Sequence, residues 1–323
     1  MKLTRSIVAM ILLCAFALPS PSQAETYPSR AIHFIVPYTP GTTADVLARL
    51  LGAKISQRWN VPVVVDNKVG ASGIIGAAAA AKAAPDGYTF LFAATSFSTL
   101  AAVNHKLPYD PVKSFAPVSL LGKSSMTLVV NSKFPANNVK EFIEQIKKQP
   151  GLVNYSSPGT GSSQQLAMEL FKQETGINIV HIPYKGTAGA LSDLIGGRVQ
   201  ASVVALQTAT PFVKSGDIRL LAVMGRERAP SFPQVPTLME LGYRNMLVET
   251  WYGVLAPTGT PGEVIAKMSA ELSNLLALPE IKTAMARHGV DLVGGKPEVL
   301  GELLHHELQL WTKVAARGKI AVN

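Results

Sequence analysis

Two stretches decide how this chain folds: Ile32-His33-Phe34-Ile35-Val36-Pro37-Tyr38-Thr39-Pro40-Gly41-Thr42-Thr43 and, far downstream, Val153-Asn154-Tyr155-Ser156-Ser157-Pro158-Gly159-Thr160-Gly161-Ser162. Each opens on an apolar run that reads as a strand, and each turns at Pro-Gly-Thr. Helical periodicity follows both turns. Val46, Leu47, Leu50, Leu51 and Ile55 fall on one face of a 3.6-residue repeat over 44–59, and Leu166, Met168, Leu170 and Phe171 fill the second helix. Further strands are predicted at 61–65 and 177–182.

The pattern continues in both copies. Val69-Gly70-Ala71-Ser72-Gly73 leads into a small-residue helix and then a strand over 88–93 that ends at Thr95-Ser96. Lys185-Gly186-Thr187-Ala188-Gly189 leads into a helix and a strand over 199–206 that ends near Thr208. The separations from Pro40 to Gly70 and from Pro158 to Gly186 are nearly equal, so the chain reads as two copies of one βα pattern.

Alternating strands and helices imply an α/β protein with largely parallel sheets, which bind ligands at the carboxyl ends of their strands. The loops above fall at those ends. A helix N-terminus presents unsatisfied N–H groups and the positive end of its dipole, and so favours an anion. Gly41 and Gly159 let the backbone approach a ligand closely, while the Thr and Ser hydroxyls can donate to it or cap the helix. Capping alone accounts for either loop taken singly: Thr42-x-x-Asp45 fits a capping box with Asp in place of Glu, and Ser162 or Ser163 suits a cap. Duplication points further, to a cleft with anion-binding backbone on both walls, the clamshell of a binding protein.

Composition narrows the class. Lys2 and Arg5, the apolar run Ile7 to Leu18, the breakers Pro19 and Pro21, and Ser22-Gln23-Ala24 read as an export signal cleaved after Ala24, placing the mature protein in the periplasm. That run is shorter than the roughly 20 residues a membrane helix needs. The single cysteine, Cys14, lies inside it behind Leu13, which does not fit a lipoprotein site. The mature chain therefore has no disulfide and no thiolate metal site. The run at 77–84 is interrupted by Lys82 and reads as a buried helix, so no membrane insertion of the mature chain is expected.

The formal charge is +9, but only Lys147 and Lys148 are adjacent, which argues against a nucleic-acid partner. The 6 histidines show no zinc spacing, so no metal is expected. His305-His306-Glu307 reads as the solvated face of a C-terminal amphipathic helix, and His33 and His181 as satisfied core residues within strands. Gly-x-Ser-x-Gly is absent around both loops, and Ser72 and Ser162 have no evident base, so catalytic residues are expected to be absent. Gly122-Lys123-Ser124 has Pro117 where a phosphate loop has its first glycine, and Gly159-x-Gly161 is followed by Gln164 in place of a third glycine, so no nucleotide cofactor is expected. Trp251-Tyr252 suits either a gate on the cleft or hinge packing.

Longer motifs carry a family resemblance. They are Tyr27-Pro28-x-Arg30, Ile35-Val36-Pro37-Tyr38-x-Pro40-Gly41-x-x-x-Asp45, Asp66-Asn67-Lys68-x-Gly70-Ala71, Pro85-Asp86-Gly87-Tyr88-Thr89, Ser157-Pro158-Gly159-x-Gly161-Ser162, Val180-His181-Ile182-Pro183-Tyr184-Lys185-Gly186, Leu221-Ala222-Val223, Val235-Pro236-Thr237 and Trp251-Tyr252-Gly253-Val254-x-Ala256-Pro257-x-Gly259-Thr260-Pro261. In this order they resemble the Bug, or TctC-type, extracytoplasmic solute receptors of tripartite tricarboxylate transport, over essentially the whole mature chain.

The resemblance implies a type II periplasmic-binding-protein fold, two βα domains around a ligand cleft. Crossings are expected near Lys123 and Val248, so that a leader at 1–24 precedes a discontinuous first domain, 25–124 plus 249–323, and a second domain, 125–248. It also implies carboxylate-binding positions: Tyr38, Pro40, Gly41, Thr42, Thr43 and Asp45 on one wall, Ser157, Gly159, Thr160, Gly161 and Ser162 on the other, with Ser72, Thr95, Tyr184 and Lys185 lining the cleft. Two departures bear on the ligand. Thr42 replaces the family's second glycine, and Val204 aligns with a frequent aspartate that would hold an ammonium group. The expected function is capture of a small mono- or dicarboxylate, more readily a non-amino one, by a monomer that delivers it to a transporter or sensor without acting as an enzyme. The alternative is an exported hydrolase acting on a small carboxylate ester or amide.

Overall fold

The computed structural model describes residues 27–104 and 106–321. The leader and the cleavage after Ala24 lie outside the described residues. Strand β1 (Ile32–Val36) runs parallel to β2 (Val63–Asn67) and β3 (Thr89–Ala94), with helix α1 (Thr43–Trp59) crossing between the first two. Between β2 and β3 come a single 3₁₀ turn (Ala71–Gly73) and α2 (Ile74–Ala81), and α3 (Ser96–Val103) follows β3. The second half repeats the plan. Strand β5 (Asn154–Ser157) is parallel to β6 (Val180–Pro183) and β7 (Ala201–Ala205), after α4 (Val139–Lys148) and with α5 (Ser163–Thr175) and α6 (Thr187–Ile195) as crossovers. Helix α7 (Leu206–Ser215) and β8 (Ile218–Val223) close that half.

Two long antiparallel strands join the halves. The first, β4 (Phe115–Asn131), pairs with β9 (Glu249–Pro257) up to Ser125, then exchanges that partner for β7 and β8 from Met126 onward. The resulting order is β2-β1-β3-β9-β4-β7-β5-β6, with β8 and the short β10 (Asp291–Leu292) also on β4. The fold is thus α/β with two βα domains around a cleft. The predicted strands 61–65, 177–182 and 199–206 each start later than expected, because ladder pairing rather than β-propensity sets where a strand begins.

Burial follows strand periodicity. Ile32, Phe34 and Val36 pack with Leu47, Leu51 and Ile55 of α1 on one face, and Ile35 packs with Ala77 and Leu91 on the other. Parallel strands buried on both faces need such near-continuous apolar runs. His33 is an exception to the sequence reading. It is exposed beside Asp66, 3.2 Å away, since β1 leaves that side chain uncovered where the second face thins.

After α8 (Gly262–Leu276) and α9 (Pro279–Arg287), the long α10 (Pro297–Gly318) ties the halves together from behind. Its N-terminal part packs Leu300 and Leu304 into the first half, and its C-terminal part packs Trp311, Val314 and Ala315 into the second. The solvated face expected at His305-His306-Glu307 stops at His306. Glu307 is buried, accepting hydrogen bonds from Ser98 Oγ at 2.6 Å and Trp251 Nε1 at 2.8 Å. Burial pushes its carboxyl above the usual range. Trp311 is 1% exposed. Trp311→Ala is expected to cost about 3–5 kcal/mol in chemical denaturation, and a loss below about 1 kcal/mol would mean that α10 is dispensable to the second half.

Candidate functional site

Where β4 and β9 cross, a cavity of about 620 Å³ opens between the halves. The first turns of α1, α3, α5, α6 and α7 all reach it, through Thr43 and Ala44, Ser96, Ser163 and Gln164, Thr187, and Gln207 and Thr208. Each of these helices follows a parallel strand, so their N-termini collect at one sheet edge. Among the described residues that line the cavity, none carries a charge. The lining is hydroxyls, backbone and a few apolar groups. What such a lining can offer an anion is helix N–H groups and dipoles.

The first wall is held by a left-handed glycine. Gly41 has φ +84° and donates its N–H to Asp45 Oδ2 at 2.9 Å, one turn into α1. Asp45 Oδ1 accepts from Asn67 Nδ2 at 2.8 Å, and Arg49 closes the group with Nε 3.1 Å from Oδ2. Desolvation alone would raise this 2%-exposed carboxyl, but the hydrogen bonds from Arg49, Gly41 and Asn67 outweigh it and hold the group below the usual range. The expected capping box is not formed at Thr42. Its hydroxyl donates to Thr39 O at 2.9 Å, because Asp45 reaches past it to Gly41. Tyr38 Oη accepts from Ala94 N at 3.0 Å and pairs with Ser96 Oγ at 2.9 Å, fixing the start of α3. Thr95 Oγ1 accepts from Trp251 N at 2.8 Å.

The second wall repeats the device. Gly161 has φ +81° and donates its N–H to Gln165 Oε1 at 2.7 Å, again four residues on. Ser162 caps α5 by accepting from Gln165 N at 3.3 Å. The equivalent of Gly41 is therefore Gly161, and the match of Pro40-Gly41-Thr42 with Pro158-Gly159-Thr160 is displaced by two residues. What the two copies share is the helix start, not the tripeptide.

Behind this wall lies His181, stacked on Tyr155 with ring centroids 4.9 Å apart. Its Nδ1 is 3.1 Å from Gln165 Nε2 and its Nε2 is 2.7 Å from Ser157 Oγ. Ser157 in turn donates to Gly159 O at 3.0 Å and accepts from Gly159 N at 3.2 Å. Burial takes His181 down to about 4, offset in part by Glu169 and reinforced by Lys172.

Of the expected positions, Tyr38, Gly41, Thr42, Thr43, Ser72, Thr95, Gly159, Thr160, Gly161 and Ser162 line the cavity. Pro40 is exposed beside it, and Asp45 and Ser157 stand behind the loops as their anchors. Tyr184 turns away to donate to Asp193 Oδ2 at 2.6 Å, and Lys185 is exposed. Val204 is 2% exposed in an apolar cluster with Val129 and Leu191, since strand alternation turns it from the cleft, and Ala205 lines the cavity instead. Sequence reading did not single out Gln164, Gln207 and Thr250 as lining residues, or Gln165 as an anchor. Gln164 and Gln207 sit at helix starts after strands, which is the signal that could have found them. Of the proposed gate, Tyr252 lines the cavity and Trp251 is packed away at 1% exposure.

Comparisons with known proteins show the family and the fold. The model for the tripartite tricarboxylate transporter family receptor, TctC, matches residues 47–318. Protein BugT of Bordetella pertussis is 35% identical over 97% of this chain and 97% of its own length. The solved structure of Rpa4515 from R. palustris with adipate is 33% identical, with a TM-score of 0.80 over 91% of this chain and 99% of that one. MatC from Rhodopseudomonas palustris with bound malate is 29% identical, with a TM-score of 0.77 over 89% of this chain and 99% of that one.

Asp45 supplies a test. A carboxyl lowered by folding stabilises above its unfolded pKa and loses that contribution as pH falls through the folded value. Asp45→Ala is expected to cost about 1–3 kcal/mol at neutral pH in urea unfolding. The gap to wild type should narrow below about pH 4; an equal gap at both pH values would assign the loss to packing instead.

Proposed function

The chain belongs to the TctC family of tripartite tricarboxylate transporter receptors, and from that premise we propose that it captures a small non-amino mono- or dicarboxylate in the cleft and passes it on unaltered. The observation that carries this reading is the convergence of helix N-termini on a cavity whose described lining has no charged side chain. A carboxylate gains from N–H donors and dipoles there, whereas an ammonium group would find no carboxylate partner. Adipate and malate, bound by the two R. palustris neighbours, are the first ligands to try.

The leader at 1–24 supports a periplasmic setting with cleavage after Ala24. Among the described residues, no helix is long and apolar enough to cross a membrane. Delivery to a membrane transporter or sensor is the role that fits a TctC receptor. We place the division between moving units at the partner exchange of β4 and the start of β9, giving 25–124 plus 249–323 and 125–248. The proposed hinge is braced by Lys123 Nζ to Glu249 Oε2 at 3.2 Å and by Ser124 Oγ donating to Gln207 Oε1 at 2.9 Å.

The Ser157–His181 pair supports binding over hydrolysis. Gln165 Oε1 is taken by the Gly161 N–H, so its amide NH₂ faces His181 and makes Nδ1 the acceptor. The ring proton then sits on Nε2 and points at Ser157 Oγ, the reverse of what a general base needs. Ser157 is also outside the cavity lining.

A thermal-shift and calorimetric panel of mono- and dicarboxylates and amino acids tests the reading. A cognate carboxylate at about 100 times its Kd should add about 2.7 kcal/mol of stability. Stabilisation by amino acids alone would overturn it. Gly41→Val meets no atom within 4 Å of the added Cβ, so its cost to the fold is left-handed strain of about 1–2 kcal/mol. Carboxylate affinity should nonetheless fall at least about tenfold, the equivalent of 1.4 kcal/mol.

A further inference from the structure

The two walls are anchored by different chemistry. In the first, the glycine N–H is taken by a carboxylate that Arg49 and Asn67 keep ionised. In the second it is taken by a neutral amide, and the orientation of that amide is set by an imidazole. Gln165 can accept from Gly161 only while its NH₂ has an acceptor to point at, and that acceptor is the Nδ1 lone pair.

We propose that His181 is a positioning residue for the second anion-binding loop, holding Gly161 through Gln165 and Gly159 through Ser157 only in its neutral, Nε2-protonated form. A proton added at Nδ1 faces the Gln165 NH₂, two donors in opposition. The amide relieves this by turning its oxygen to the imidazolium, which leaves its NH₂ against the Gly161 N–H and removes that hydrogen bond. One proton on His181 thus exchanges the acceptor that holds the loop for a donor that repels it. The first wall, built on Asp45, has no counterpart to this step.

The surroundings set where it happens. The charged and titratable groups facing the ring are Tyr155 on β5, stacked on it, and Glu169 and Lys172 on α5. Glu169 Oε1 is engaged by Tyr155 Oη at 2.8 Å and Lys172 Nζ at 2.7 Å, so its charge is largely spent away from the imidazole. Burial therefore prevails and the ring stays neutral to about 4. The sign follows: the folded state disfavours the imidazolium, so this contribution is complete above the ordinary value of about 6.5 and is lost as pH falls from there towards the folded value.

The inference bears on the anion site of the proposed function, but its test needs no ligand. Heteronuclear NMR on the full chain follows the His181 ring together with the Gly161 and Phe171 amides from about pH 7.5 down to about pH 3, which brackets a midpoint of about 4. The expected result is an Nε2-protonated tautomer at the start. As the ring titrates, the Gly161 amide shifts with the same midpoint and loses at least about tenfold in exchange protection relative to Phe171. Gln165→Glu separates this from a merely structural role. Its carboxylate accepts from Gly161 as before and also from a doubly protonated ring, so the His181 midpoint should rise above the ordinary value and Gly161 should stay protected at about pH 4, where wild type has lost protection. A Gly161 amide indifferent to the His181 titration, or an unmoved midpoint in Gln165→Glu, overturns the proposal. Adipate added as a probe then reads the consequence, because its own titration cancels in the ratio of wild-type to Gln165→Glu affinity. That ratio should fall with pH; if adipate binds neither protein, the ligand class is at fault and the NMR result still decides the role of His181.

Discussion

A left-handed glycine whose N–H is tied to a side chain one turn into the following helix is the contact on which this binding site rests. It occurs at Gly41 with Asp45 and again at Gly161 with Gln165, at nearly the same φ. The constraint behind it is electrostatic. Without a charged side chain among the described lining residues, the cavity can offer an anion only partial charges, and these act only over the first turn of a helix. Loops that wandered by an ångström would leave those N–H groups to water. Tying each glycine to its own helix fixes the loop to the element whose dipole it serves.

The anchors also explain why some polar residues near the cleft do not line it. Asp45 and Ser157 spend their oxygens on glycine N–H groups, so they shape the site without facing it. Behind them the walls diverge. Asp45 needs Arg49 and Asn67 to offset the cost of burying a carboxylate, whereas Gln165 carries no charge and needs only an acceptor, which His181 provides. The same geometric task is met once by a buried carboxylate paired with a half-exposed arginine and once by a neutral network, and only the neutral network needs a particular imidazole tautomer.

Much of this was legible in sequence. Duplicated strand–loop–helix units, glycine before a helix start and apolar runs for parallel strands are local signals, and the fold and much of the cavity lining follow from them. The register of the duplication was not legible, because Pro-Gly-Thr looks alike in both copies while the helix starts differ by two residues. Val204 shows a similar failure: period-2 alternation settles which of Val204 and Ala205 faces the cleft, but only once the ladder to β4 is known. Glu307 reads as surface beside two exposed histidines, yet it lies under Trp251 and Ser98. Such pairings join residues far apart in the chain, and no periodicity reports them.

The links between the halves constrain how they can move. Strands β4 and β9 join the halves, with Thr250 and Tyr252 of β9 reaching the cavity, and α10 spans both halves, with Leu304 in one core and Trp311 in the other. Gln173 Nε2 adds a hydrogen bond to Val314 O at 3.0 Å, fixing the far end of α10 to α5. Sliding one half past the other would shear Trp311 and Leu304 out of packed sites, and packed cores resist such displacement. Rotation about an axis near the β4–β9 crossing moves these contacts least while moving the rims of the loops most. A rotation of that kind would bring the Gly41 and Gly161 walls together without unpacking α10 from either core.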